Sequence, residues 1–118
     1  MSKKGLIRSF GYAFAGIACA FTCGRNIKIH GAAALTVVAA GLLVKVTPLE
    51  WAILSLTIFM VLAAETTNTA IEKTVDLVTA EYHPLARQAK NLAAGAVLLT
   101  AVNSIIIAII IFKPYLMK

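Results

Sequence analysis

From Leu92 to Phe112 the chain runs for 21 residues without a charged side chain. A hydrocarbon core about 30 Å thick takes about 20 apolar residues of helix to cross, so this run is long enough to span a bilayer. Inside lipid each backbone N–H and C=O has to find a partner within the chain, and a helix meets that demand from a single segment. Composition agrees: of 118 residues, 60% are hydrophobic and 14% charged, against about a quarter charged in a soluble domain. One domain over residues 1–118 is the natural count, and the expected fold class is an all-α membrane protein. The sequence has no repeats, low-complexity tracts or long linkers.

The net charge of +6 raises the question of nucleic acid, but the basic residues flank apolar runs and form no dense block. They read as facing anionic lipid headgroups, so the expected partners include membrane lipids and no nucleic acid. Cys19 and Cys23 are four apart in apolar surroundings. Two ligands make no metal site, and both cysteines read as small packing residues. Lys3, Lys4 and Arg8 are followed by apolar positions interrupted at helical spacing rather than by a cleavable leader pattern.

Residues 4–23 read as a helix on the membrane surface. Leu6, Phe10, Phe14, Ile17 and Phe21 fall within an arc of about 80° at 100° per residue, and Lys4 and Arg8 point the other way. An apolar face with a basic back is the interfacial pattern. Gly24 breaks this helix. Gly31 to Val44 is free of charge for 14 residues, and a first span over 27–46 results if Lys28 and Lys45 snorkel. Thr47, Pro48 and Glu50 are a cap, a first-turn proline and the far half of a capping box. The helix they open meets no Gly or Pro until Pro84, so the second span covers 48–78. That is about 45 Å of helix, longer than the hydrocarbon, so its second half must emerge into headgroups and water. Pro84 opens the third span, 84–112, closed by Lys113-Pro114. Three spans follow the surface helix.

With the N-terminus inside, the inner segments hold Lys3, Lys4, Arg8, Arg25, Lys28, Lys73, Arg87 and Lys90, and the outer ones only Lys45, Lys113 and Lys118. The excess of basic residues places the N-terminus in the cytoplasm and the C-terminus outside.

Four polar residues on the second span carry the chemistry. Glu65, Asn68, Glu72 and Asp76, spaced three, four and four, make one stripe about 80° wide. It begins about 26 Å from Pro48, where the hydrocarbon ends. Carboxylates at that depth usually face a bundle interior or a polar cavity. A divalent cation with phosphate oxygens would compensate the three acids, and a carboxylate at the boundary can take a proton from a lipid hydroxyl. The plainer alternative is a solvated polar face where a long helix leaves the bilayer. A small transporter with the stripe as an ion path is another, although only Asn103 and Ser104 lie mid-span in the third helix.

The segment Glu65-Thr66-Thr67-Asn68-Thr69-Ala70-Ile71-Glu72-Lys73-Thr74-Val75-Asp76 resembles the signature E-x-x-N-[ST]-A-[IV]-E-x-x-x-D of the prokaryotic diacylglycerol kinase and undecaprenol kinase family. Glu81-Tyr82-His83 through Lys90 matches the family's next segment, and Gly24-Arg25-Asn26-Ile27-Lys28-Ile29-His30 resembles the E-R-N-F-R-I-H segment of its Gram-positive branch. The resemblance implies a homotrimer in a bacterial plasma membrane that transfers the γ-phosphate of ATP, with Mg²⁺, to a long-chain lipid alcohol. The acceptor it implies is undecaprenol, or else diacylglycerol. By the same resemblance Glu65 is the general base, with Asn68 holding the reacting groups. Glu72 binds the metal, and Tyr12, Glu81, His83, Lys90 and Asn91 line the nucleotide site. Gly24 stands where the family usually has a second metal-binding Glu, and Asn91 where it usually has Asp. Each replacement removes an anionic oxygen, which leaves open a lipid- or nucleotide-binding relative without catalysis.

Overall fold

The computed structural model describes residues 2–117, and all its regular structure is helical: α1 (Lys3–Cys23), α2 (Ile27–Val44), α3 (Pro48–Val78) and α4 (Pro84–Leu116). Each start has a local chemical cause. Ser2 Oγ accepts from the Gly5 N–H at 3.0 Å and caps α1. The capping box expected at α3 is formed in both directions: Glu50 N–H donates to Thr47 Oγ1 at 3.2 Å and Thr47 N–H to Glu50 Oε1 at 2.9 Å. At α4 the imidazole of His83 is the cap, its Nδ1 accepting from the Leu85 N–H at 3.1 Å ahead of Pro84 in the first turn.

Two ends depart from the sequence reading. The first span stops at Val44 rather than 46, because Lys45 turns into the left-handed region (φ 59°) and Val46 N–H bonds back to the Gly41 carbonyl at 3.1 Å. That turn drops Val46 into the core with Leu54 and Ile111. The last helix does not close at Lys113-Pro114 but continues to Leu116. A proline this near an end forfeits one backbone bond, and the extra turn is held by Tyr115, whose hydroxyl donates to Glu50 Oε1.

Few side chains are interior. Val46, Leu54 and Ile111 form one small cluster with Trp51, Ile107 and Phe112 packed against it. Leu35, Leu43, Leu56, Leu92 and Leu99 are all exposed. A soluble protein does not leave such apolar faces to water; lipid is their solvent. All four helices, α1 included, are long and apolar enough to cross a membrane by length and composition. The main packing is between α3 and α4, whereas α2 and α4 touch little. Gly41 lets α2 approach α3, since a methyl there would meet the Trp51 ring at 2.6 Å. The weak α2–α4 contact leaves a furrow along the buried face of α3, and the polar stripe opens into it.

Candidate active site

The stripe on α3 runs from buried to exposed. Glu65 retains 1% of its surface and Asn68 6%, whereas the Asp76 side chain is 61% exposed. The link between α1 and α2 makes this gradient by crossing α3 at the level of Glu65 to Thr69. Ile27 is fully buried there, and a Cβ added to Gly24 would lie 3.2 Å from Thr69 Oγ1. Asn26 N–H donates to Glu65 Oε1 at 3.4 Å, and Thr69 Oγ1 donates to the Glu65 carbonyl at 3.0 Å. Glu65 Oε2 and Asn68 Oδ1 are both buried and have no hydrogen-bond partner among the described residues. Withdrawing such acceptors from water costs on the order of 1–3 kcal/mol each, and the two line one cavity.

That cavity, about 280 Å³, lies beside the stripe and is walled by Arg25, Asn26, His30, Ala94 and Ala101 as well as Glu65 and Asn68. His30 also lines a second, mainly apolar cavity of about 180 Å³ lower between α2, α3 and α4, with Ala33, Val37, Leu54, Thr57 and Ser104. A third, polar cavity of about 390 Å³ adjoins on the other side. It gathers Asp76, Glu81, His83, Arg87, Lys90 and Asn91. Polar and apolar hollows therefore follow one another along α3, with the buried carboxylate between them.

Two ion pairs set the charge. Lys90 Nζ is 2.6 Å from Asp76 Oδ1, which joins α4 to α3 across the polar cavity. Arg25 Nη2 is 3.0 Å from Glu72 Oε1, the same oxygen that accepts from Asn68 Nδ2 at 2.7 Å. The hydrogen bond and charge of Glu72 hold the Arg25 guanidinium even more firmly protonated than usual. His83 spends Nδ1 on its cap, which leaves Nε2 as its donor toward the polar cavity. The loop before it is ordered by Thr79, which bonds to the N–H of Glu81 at 3.2 Å and to its carbonyl at 3.3 Å.

Of the residues singled out in sequence, Glu65 and Asn68 share the middle cavity, with Glu72 joined to Asn68 by its hydrogen bond. Glu81, His83, Lys90 and Asn91 share the polar one. Tyr12 is 74% exposed on α1 and lines none of these cavities. Sequence reasoning gave no site role to the Asn26 N–H, Thr69 or Arg87. Asn26 had a signal, since it lies in the recognisable segment before α2. Gly24 has a steric function unforeseen in sequence: a Cβ would stand 2.6 Å from the Ala20 carbonyl oxygen.

Known proteins resemble this chain over most of its length. Residues 11–112 match the family model described as prokaryotic diacylglycerol kinase. The chain is 47% identical over 109 residues to an undecaprenol kinase of Bacillus subtilis, covering 92% of this chain and 89% of that protein. It is 41% identical over 114 residues to a diacylglycerol kinase of Synechocystis, covering 96% of this chain and 65% of the relative. A diacylglycerol kinase of Escherichia coli K12 is 30% identical over 101 residues, with 86% and 83% covered. A match across most of the chain, with the stripe inside the matched residues, means that this protein belongs to the prokaryotic diacylglycerol kinase family.

Proposed function

We propose that the protein is a lipid kinase that moves the γ-phosphate of ATP onto the hydroxyl of a long-chain lipid alcohol. The observation that carries this reading is Oε2 of Glu65, which has no partner among the described residues and is buried between an apolar and a polar cavity. A hydroxyl bonded there delivers its proton to Glu65 as its oxygen attacks the γ-phosphorus. The bond from that phosphorus to the β-phosphate oxygen breaks, giving ADP and a lipid phosphate, and the proton then leaves Glu65 for water. Asn68 keeps its amide on Glu72 and offers Oδ1 to the incoming groups.

Among the described residues no group of three or more His, Cys, Asp or Glu could cage a metal. That donor set suits Mg²⁺ arriving with ATP, because this ion usually takes one or two carboxylates and completes its shell with phosphates and water. Glu72 would hold it. When bound, Mg²⁺ would neutralise charge on the transferring phosphoryl group. Arg25, Arg87 and Lys90, with the N-terminus of α4, outweigh Asp76 and Glu81 along the polar cavity and give it the positive character a polyphosphate needs. Glu81, His83 and Asn91 are proposed as its polar wall, and Tyr12 as a residue that reaches the nucleotide from α1.

The acceptor favoured is undecaprenol, the lipid in the name of the Bacillus subtilis relative, with diacylglycerol second. The arrangement proposed is a bacterial plasma-membrane protein with α1 on the cytoplasmic surface and α2, α3 and α4 spanning. A homotrimer would cover the apolar faces left open in one chain. Gly95 supports this, since a methyl there would meet no atom within 4 Å, and small residues let helices of neighbouring subunits approach.

The test is transfer of label from [γ-³²P]ATP by purified protein in lipid nanodiscs, offered undecaprenol, diacylglycerol and a chain-matched methyl ether. Label on an alcohol but not on the ether is expected. Label on water alone, with every lipid, would reject the lipid kinase reading.

A further inference from the structure

Among the described residues only two line both the cavity holding Glu65 and the polar cavity holding Lys90: Arg25 and Ala94. Arg25 is the charged one. On the kinase reading above, on which this inference rests, the reacting hydroxyl occupies the first cavity and the triphosphate the second. The phosphoryl group must cross between them, and the guanidinium stands at the crossing. We propose that Arg25 is a catalytic residue that binds the γ-phosphoryl group and stabilises the charge it develops during transfer.

Its present contacts fit that task. Arg25 sits in the link between α1 and α2, its side chain is 72% exposed, and it is ion-paired with Glu72. Both donors that reach Glu72, Arg25 Nη2 and Asn68 Nδ2, fall on Oε1. That leaves Oε2 for a cation, which would neutralise the carboxylate, loosen its hold on Arg25 and free the guanidinium for phosphate. An arginine has a planar fork that matches phosphate oxygens two at a time and stays charged throughout. The chemistry around it calls for such a group. Position 24 is glycine and position 91 asparagine, so neither offers a carboxylate with which to recruit a cation. The backbone around Gly24 has no room for a side chain, because Ala20 O lies 2.6 Å from where its Cβ would be. Arg25 supplies a fixed positive charge in their stead.

The experiment compares Arg25→Lys, Arg25→Gln and Arg25→Ala in full-length protein in nanodiscs. Two readouts are used: steady-state transfer, and calorimetric binding of ADP against a triphosphate with a non-transferable γ-phosphate. Arg25→Ala is expected to lower kcat about a hundredfold or more, with KM for the lipid within about threefold of wild type. It should also abolish the preference for triphosphate over ADP. Arg25→Lys should keep part of both effects and Arg25→Gln neither. If Arg25 served only to hold Glu72 in place, Arg25→Ala would keep the wild-type preference for triphosphate over ADP, and that result would overturn the proposal. Unchanged kcat in Arg25→Ala would do so too. If the wild-type protein transferred no phosphate to lipid, the kinase reading would fail, and the triphosphate preference alone would then decide the role of Arg25.

Discussion

Gly24 shows how a single residue can mislead in sequence and explain itself in structure. Read against its family, it is a missing metal ligand, and restoring Glu there promises tighter metal binding. In the fold its position is closed by the Ala20 carbonyl and Thr69, so any side chain forces the link carrying Arg25 and Asn26 to shift. Gly24→Ala should cost about 1–3 kcal/mol, the usual range for overpacking, seen as a lower Tm in detergent. An unchanged Tm would mean the link gives way freely. Glu72 is the complementary case. As the carboxylate proposed for Mg²⁺, its replacement by Ala should raise the Mg²⁺ concentration needed for half-maximal transfer about tenfold or more. A magnesium titration equal to wild type would remove Glu72 from the metal site.

At the scale of elements, what could be read from sequence was whatever short-range chemistry decides. Thr47, Pro48 and Glu50 announce the start of α3 because all their bonds lie within one turn. The end of α4 was not legible, since Leu116 stays helical through a contact between Tyr115 and Glu50, 65 positions away. The same holds for the site. The period of α3 brings Glu65, Asn68 and Glu72 to one face, but the pairing of Arg25 with Glu72 spans 47 positions and depends on how the α1–α2 link lies over α3. The proposed orientation of the spans follows from the distribution of basic residues and makes its own prediction. After Cys19 and Cys23 are replaced, a cysteine introduced near Arg87 should resist impermeant thiol reagents added to intact cells. One placed after Lys113 should react. The reverse labelling would put the polar cavity on the side without ATP.

Taken whole, the molecule turns its apolar surface outward and keeps only a small core, while among the described residues the buried polar side chains, Thr57, Glu65, Asn68 and Thr69, all lie on α3. Such a chain lacks the interior to enclose a nucleotide and a lipid by itself, so a mass of three chains is expected for the particle extracted in mild detergent. A monomer that still transfers phosphate would refute that assembly. The proton acceptor proposed for transfer is the oxygen of Glu65 that is buried without a partner among the described residues. Single-turnover transfer from [γ-³²P]ATP to lipid, compared between wild type and Glu65→Gln, tests it most directly. Gln preserves the size and the hydrogen bond from Asn26 but cannot accept the proton. The variant should bind ATP with unchanged affinity and transfer phosphate at least about a hundredfold more slowly, in keeping with the loss of a general base. A Glu65→Gln protein that turns over at the wild-type rate would contradict the account.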